Sequence, residues 1–156
     1  MQYGMSALLI IHGILAVFLL GAVTHQAIGV AWPVTKKSSG FVQAVRGVNG
    51  MNYTNVIIIL FLVTFAIGTI IYPSYRVGVR TILQEYRDFR PEGMFEMKEH
   101  LLALSLALLP IYWYFWRTPS EVNRVPRTVL TSIIAFSIWW GFLTGHIINN
   151  IRGFGS

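Results

Sequence analysis

The chain has 156 residues, of which 54% are hydrophobic and only 12% are charged, and its formal net charge is +6. A soluble domain carries about a quarter of its residues as charges, so this composition excludes an ordinary soluble globule. The basic residues lie at the ends of apolar runs, which argues against nucleic-acid binding and for contact with lipid headgroups. The absence of cysteine excludes disulfides and thiolate metal sites.

Four apolar segments of about 20 residues predict an all-α integral membrane protein, a four-helix bundle that forms one domain over residues 1–156. The predicted spans cover about residues 5–32, 54–72, 100–116 and 129–148. The first span is expected to end before Pro33 and the second before Pro73, because proline breaks helices. Short connectors make consecutive spans antiparallel neighbours.

The connector between the second and third spans predicts an amphipathic helix that lies on the membrane surface. Apolar residues recur in it at near-helical spacing, and arginines occupy the opposite side. The apolar residues are Val79, Leu83, Tyr86 and Phe89, and the arginines are Arg80, Arg87 and Arg90.

Basic residues give the expected orientation. We define face A as the membrane side that holds the N-terminus and face B as the other side. The two faces carry equal numbers of basic residues, but no basic residue precedes the first span, whereas Lys36 and Lys37 follow it. This asymmetry favours face B in the cytoplasm and both termini on the non-cytoplasmic side of a bacterial inner membrane.

All four histidines, His12, His25, His100 and His146, fall within or at the edge of the predicted spans. An ionisable side chain at that depth indicates a functional site, because its transfer into lipid is unfavourable. The alternative for any single histidine is a neutral imidazole that hydrogen-bonds a neighbouring helix.

Counting along the helices predicts that three of these histidines share one depth. His100 and His146 each lie about 22 to 24 residues from the turn near Asn123, which places them within a turn of each other in height, near face A. His12 also lies on the face A side of the first span. Two inward imidazoles at equal height on adjacent helices can hold a haem iron. The sequence thus predicts a haem b held by His100 and His146, with His12 as the alternative ligand.

The neighbouring residues fit this prediction and also simpler ones. Gly141 and Gly145 leave room for a flat ring, or alternatively for close helix packing. Arg76 and Arg80 are candidates to meet haem propionates, or alternatively lipid headgroups. All of them lie near face A in the predicted topology.

His25 is expected to play a different role. It lies 13 residues from His12, which is about 20 Å along the helix axis and roughly 140° round it, so the two cannot ligate one metal. The segment Thr24-His25-Gln26 is expected to make hydrogen bonds between helices or at the interface.

Two further features keep alternatives open. Glu96 and His100 share a helix face and are candidates to bind a quinone head or relay protons, whereas the simple interpretation is a solvated helix start. Trp139 and Trp140 lie near the middle of the fourth span, where they either pack against neighbouring helices or contact a bound ring system.

In span number and in the positions of His100, His146 and His12, the chain resembles small b-type cytochrome membrane anchors of respiratory complexes, such as the succinate dehydrogenase membrane subunits. The resemblance implies a non-catalytic electron-transfer subunit that binds one haem b and exchanges electrons with a partner subunit or quinone. Its expected partners are other membrane subunits and lipid. A cofactor-free accessory subunit and a small channel or metal carrier are the alternatives.

Overall fold

The computed structural model describes residues 2–31, 40, 50–85, 87, 89–118 and 120–154. Apart from turns, these residues are helical, and they include no strand. The all-α prediction is therefore confirmed for them. In chain order the elements are α1 (Gln2–Ala31), α2 (Gly50–Ser74), a π-helical segment (Tyr75–Arg80), α3 (Thr81–Glu85), α4 (Phe89–Arg117) and α5 (Arg124–Phe154).

The four long helices pack in a ring. α1 contacts α2 and α5, and α4 contacts α5 and α2. This order of contacts is that of an up-and-down four-helix bundle with antiparallel neighbours. Every long helix contributes to the buried core, whose members are Leu19, Val23, Ile57, Phe61, Leu109, Tyr112, Ile134, Ala135 and Ile138.

Three helical stretches are long and apolar enough to cross a membrane: Gly4–Ala31, Gly50–Glu85 and Arg124–Asn150. They are apolar on their outer sides as well, since Ile10 and Phe18 are each 63% exposed and Ile59 is 60% exposed. α4 matches them in length with 29 residues, but charged residues in its first third and polar aromatic rings in its last third make it less apolar. The predicted third span is therefore the least lipid-like of the four.

The helices extend beyond the ends expected for the second and third spans. The helix that contains Pro73 continues to Ser74, and the π-helical segment follows at once. α4 begins at Phe89, well before His100, because Pro91 is tolerated in a first turn and Glu92 complements the helix dipole there.

The separate surface helix that the sequence predicted between these spans is also wrong for the described residues. The π-helical segment and α3 prolong α2 as far as Glu85, and Arg87, with φ of 55°, marks a turn before α4 starts. Leu83 is buried, but Phe89, which was placed on the same apolar side, is 62% exposed. The connector therefore extends two helices of the bundle at face A.

A tight turn joins α4 to α5 at face B. The backbone amide of Asn123 donates to the Ser120 carbonyl at 3.1 Å, and the Asn123 side-chain amide donates to the Thr118 carbonyl at 3.0 Å. These bonds satisfy groups that the helix ends leave unpaired. The turn makes α4 and α5 antiparallel, which fixes the register of the histidine region at the opposite face.

Candidate functional site

The register of α4 against α5 fixes the depth of His100 and His146. A Cβ added to Gly141 would lie 3.4 Å from Leu102 Cδ1, and one added to Gly145 would lie 3.6 Å from Lys98 Nζ. Residues 98–102 of α4 are therefore level with residues 141–145 of α5. His100 and His146 consequently lie within about one helical turn of each other along the bundle.

Both imidazoles lie on the outside of the bundle. His100 and His146 are exposed, so the inward direction expected from the sequence is wrong. The Nδ1 atom of His100 lies 2.7 Å from the Glu96 carbonyl oxygen. A proton on Nδ1 makes this a hydrogen bond to the helix backbone and leaves the Nε2 lone pair of His100 available to a ligand. His146 stacks on Phe142 of its own helix, with ring centroids 6.4 Å apart.

His12 is separated from the outward pair because it packs between α1 and α2. It is half-buried, and its Nδ1 lies 3.1 Å from the Thr64 carbonyl oxygen. A Cβ added to Gly68 would lie 3.1 Å from His12 Cε1, so the imidazole fills the space that this glycine leaves. Among the residues whose positions are described, no group of three or more His, Asp or Glu side chains is placed to hold a metal ion.

The other predicted site residues have separate roles. Gly145 gives space to the Lys98 side chain, which is the close helix contact that the sequence left as an alternative. Arg80 makes an ion pair with Glu92 and lies 3.5 Å from Glu96, so two carboxylates already meet its charge. Arg76 is exposed on the face A extension of α2.

Lys98 is the charged residue that lies against α5 at this end of the bundle, beside Gly145. It is half-buried, and its ammonium lies 5.0 Å from the centre of the Phe95 ring. Burial lowers the pKa of Lys98, while the neighbouring Glu99 carboxylate opposes that change. Burial in turn raises the pKa of Glu99, and the Lys98 charge offsets part of this effect.

A hydrogen-bonded network joins three helices near face B. The Tyr112 hydroxyl donates to Gln26 Oε1, Gln26 Nε2 donates to Thr54 Oγ1 at 2.8 Å, and the Thr54 hydroxyl donates to the Gly50 carbonyl at 2.7 Å. All three side chains are buried. The interhelical hydrogen bonding expected of the segment around Gln26 is therefore confirmed.

Trp139 also contacts a neighbouring helix, which is the simpler of the two interpretations that the sequence left open. Its indole N–H donates to Thr24 Oγ1 at 2.9 Å, which joins α5 to α1. Trp140 differs, because its indole nitrogen is buried and has no hydrogen-bond partner among the residues that the structure describes.

Lys98 was predicted to meet haem propionates or lipid headgroups at face A, but the sequence did not indicate that its side chain lies against α5, and it missed the buried hydroxyls of Thr64, Ser105 and Thr144. Their signal is spacing, since Lys98 and Ser105 fall on the same side of α4 as the buried Leu109. No family model, curated protein or solved structure matches this chain. Two features of the described structure bear on its function: an outward pair of imidazoles and an inward set of polar groups.

Proposed function

We propose that this chain is an integral membrane subunit of an electron-transfer complex of the respiratory type. In this proposal, one haem b is bound on the outer side of the bundle with His100 as an axial ligand. Because His100 lies on the side of α4 that is turned away from α5, a partner subunit, and not His146, supplies the second axial ligand. The chain itself carries no catalytic step and passes electrons between the haem and a partner subunit or quinone. Three helices long and apolar enough to cross a membrane support the membrane location.

The observation that carries the proposal is the outward position of the His100 imidazole near face A. The Glu96 carbonyl holds the Nδ1 side of His100, so that Nε2 is directed away from its own helix turn. Such a backbone bond to the second ring nitrogen is the usual support for a metal-ligating histidine.

The outward direction implies that a partner subunit covers this surface. An imidazole on the lipid side of a membrane helix loses hydrogen bonds that neither the acyl chains nor its own helix can replace. Iron ligation would satisfy Nε2, and a partner subunit would enclose the haem edges. The haem would then lie between subunits, where a redox centre of the partner can approach it.

The test is the visible spectrum of the complex, isolated from native membranes through a tag on this chain. We expect a Soret band and a low-spin, six-coordinate haem b spectrum, which His100→Ala abolishes. His146→Ala is the matched control, since it removes an equally exposed imidazole at a similar depth and should leave the spectrum unchanged. His12→Ala and His25→Ala, which remove half-buried imidazoles, should also leave it unchanged.

Two results would contradict the assignment. A complex without a Soret band would remove the haem. A spectrum unchanged in His100→Ala, or lost in His146→Ala, would place the ligand elsewhere.

The second candidate function is a cofactor-free accessory subunit of a larger membrane complex. It is favoured by the stacking of His146 on Phe142, because the imidazole then already has a contact within its own helix. Under this alternative, His100→Ala and His146→Ala weaken assembly with partner subunits without any change in absorption. Sedimentation or native gel electrophoresis of the tagged complex separates the two functions.

A further inference from the structure

Buried polar atoms without a hydrogen-bond partner are confined to the face A half of the described structure. They are Thr64 Oγ1, Tyr75 Oη, Ser105 Oγ, Trp140 Nε1 and Thr144 Oγ1. An unpaired polar group in an apolar interior is unfavourable by about 1–3 kcal/mol, so native proteins pair such groups with protein atoms or with water.

Other buried hydroxyls, level with Ser105 or nearer face B, do have hydrogen-bond partners. Ser137 donates to the Ile133 carbonyl at 2.9 Å, and Thr131 donates to the Arg127 carbonyl at 2.7 Å. Bonding to the preceding turn is the usual solution for a serine or threonine within a helix. Ser105 is as buried as Ser137, since both are 0% exposed, yet its hydroxyl makes no such bond.

The unpaired hydroxyls descend stepwise from face A. The reference level is the stack of Tyr72 on Phe95, whose centroids are 6.0 Å apart. Counted along the helices from that stack at 1.5 Å per residue, Thr64 lies about 12 Å below it and Ser105 about 15 Å below it. Thr144, beside the Gly145 contact with Lys98, lies about 6 Å below it. The hydroxyls thus lie on three different helices at successive depths.

Lys98 lies nearer face A than any of these three hydroxyls. Its ammonium reaches the space beside Gly145, one residue from Thr144. The salt bridges found among the described residues are those of Arg80 with Glu92 and with Glu96, so Lys98 takes part in none of them. An ammonium ion in this position needs hydrogen-bond acceptors, and water supplies them most simply.

Apolar residues lie level with Ser105 and below it. Phe61, Leu109 and Ile138 are each no more than 5% exposed and belong to the central core. The network of Gln26 with Tyr112 lies beyond this layer, and its hydrogen bonds are made within the protein. The unpaired hydroxyls therefore lie on the face A side of the network, and apolar core residues separate them from it.

We propose that a file of water molecules enters the bundle at Lys98 and extends past Thr144 and Thr64 to Ser105, forming a hydrated half-channel from face A. Each unpaired hydroxyl bonds one of these waters. The half-channel brings water, and with it protons, from face A to about the middle of the bundle. It rests on the membrane insertion contained in the proposed function, but not on the haem.

Single cysteines test this half-channel directly, because the chain has no cysteine of its own. Ser105→Cys and Thr144→Cys place a thiol of nearly the same size in the half-channel, and Ser137→Cys is the control of equal burial outside it. The probe is Ag⁺, which is about the size of water, added to native membrane vesicles of either orientation. Thiols that have not reacted with Ag⁺ are then quantified with a maleimide dye after denaturation.

Two exposed reporters identify the sides, namely Arg76→Cys at face A and Glu121→Cys at face B. We expect Ser105→Cys to react with Ag⁺ at least about tenfold faster than Ser137→Cys, which reacts only when the bundle opens locally. Reaction of Ser105→Cys should occur only from the side that labels Arg76→Cys. Thr144→Cys should react faster still, because it lies nearer the entrance.

Equal rates for Ser105→Cys and Ser137→Cys would overturn the half-channel, as would reaction of Ser105→Cys from both sides. If Ser105→Cys fails to accumulate, the rate at Thr144→Cys relative to Ser137→Cys decides in the same way. Labelling of Arg76→Cys and Glu121→Cys from the same side would instead refute the membrane topology of the proposed function. The two failures are therefore distinguishable.

Discussion

The buried pair formed by Tyr112 and Gln26 allows a quantitative test of the packing. Tyr112 is 0% exposed and Gln26 is 5% exposed, and the tyrosine hydroxyl donates across the bundle to the amide oxygen. The amide nitrogen of Gln26 donates to Thr54, whose own hydroxyl is satisfied by the Gly50 carbonyl. Removing one partner of the pair therefore takes from the other the hydrogen bond that joins them, whereas removing both leaves Thr54 bonded to Gly50.

This arrangement predicts strongly non-additive substitutions. Tyr112→Phe leaves the Gln26 oxygen unpaired, and Gln26→Leu removes the main acceptor of the Tyr112 hydroxyl, so each should lower the free energy of unfolding by about 1–2 kcal/mol. The double variant replaces both groups with apolar side chains and should also lose only about 1–2 kcal/mol. The coupling energy between the two sites is then about 1–2 kcal/mol.

The assay is reversible unfolding in mixed micelles, followed by circular dichroism for the wild type, both single variants and the double variant. Tyr112→Phe combined with Thr69→Val serves as the control pair, because Thr69 bonds its own helix near face A. That pair should be additive within about 0.5 kcal/mol. If the unfolding free energies of Gln26→Leu and Tyr112→Phe are additive within the same limit, the buried network is refuted.

Further predictions concern the glycines and the ion pair at face A. Gly21→Ala should raise the free energy of unfolding by about 0.5–1 kcal/mol, since nothing lies within 4 Å of the added Cβ. Gly68→Ala should lower the free energy of unfolding relative to Gly21→Ala, because its Cβ would lie 3.1 Å from His12. Thermal unfolding of the two variants checks this, and equal stabilities would contradict it. Glu92→Gln should lower stability by about 0.5–1 kcal/mol by breaking the ion pair with Arg80, and should remove part of the salt dependence of unfolding; an unchanged salt dependence would contradict it.

The sequence predicts the helices of this fold well, because a chain in lipid must pair its backbone within each segment. It predicts their ends less well. Pro73 lies inside α2 and does not end it, and the charged residues after Phe89 belong to α4. Both errors have one cause: helix ends at the membrane boundary depend on contacts such as Arg80 with Glu92, which residue composition does not reveal.

The depth of the histidines follows from counting residues, but their direction does not. His100 is two residues from Lys98, so at about 100° per residue it lies about 200° round α4 from that side chain. Lys98 faces α5, and His100 therefore faces outward. Hydrophobicity alone could not reveal this, because α4 carries leucines on its outer side too, as the 50% exposed Leu104 shows.

The same geometry links the two proposals, because His100 and Lys98 lie on opposite sides of one helix. The Lys98 charge and the His100 ring are separated by about one helix diameter, roughly 10 Å, over which a unit charge contributes about 1–2 kcal/mol at an effective dielectric constant of about 20. Lys98→Met should therefore lower the haem midpoint potential by about 50 mV, because the wild-type positive charge stabilises the reduced, less positive iron and the variant lacks this charge. Lys98→Arg keeps the charge and should leave the potential near that of the wild type.

The pH dependence of this effect has a definite sign. Burial lowers the pKa of Lys98, so the ammonium charge is present below that pKa and is lost as the pH rises through it. The difference in midpoint potential between the wild type and Lys98→Met should consequently shrink at high pH, in redox titrations of the isolated complex. A constant difference at every pH, or an equal shift in Lys98→Arg, would show that the lysine acts through packing and not through its charge. A charge effect would instead mean that reduction of the haem raises the proton affinity of a group at the entrance of the half-channel, because the coupling between two sites is reciprocal.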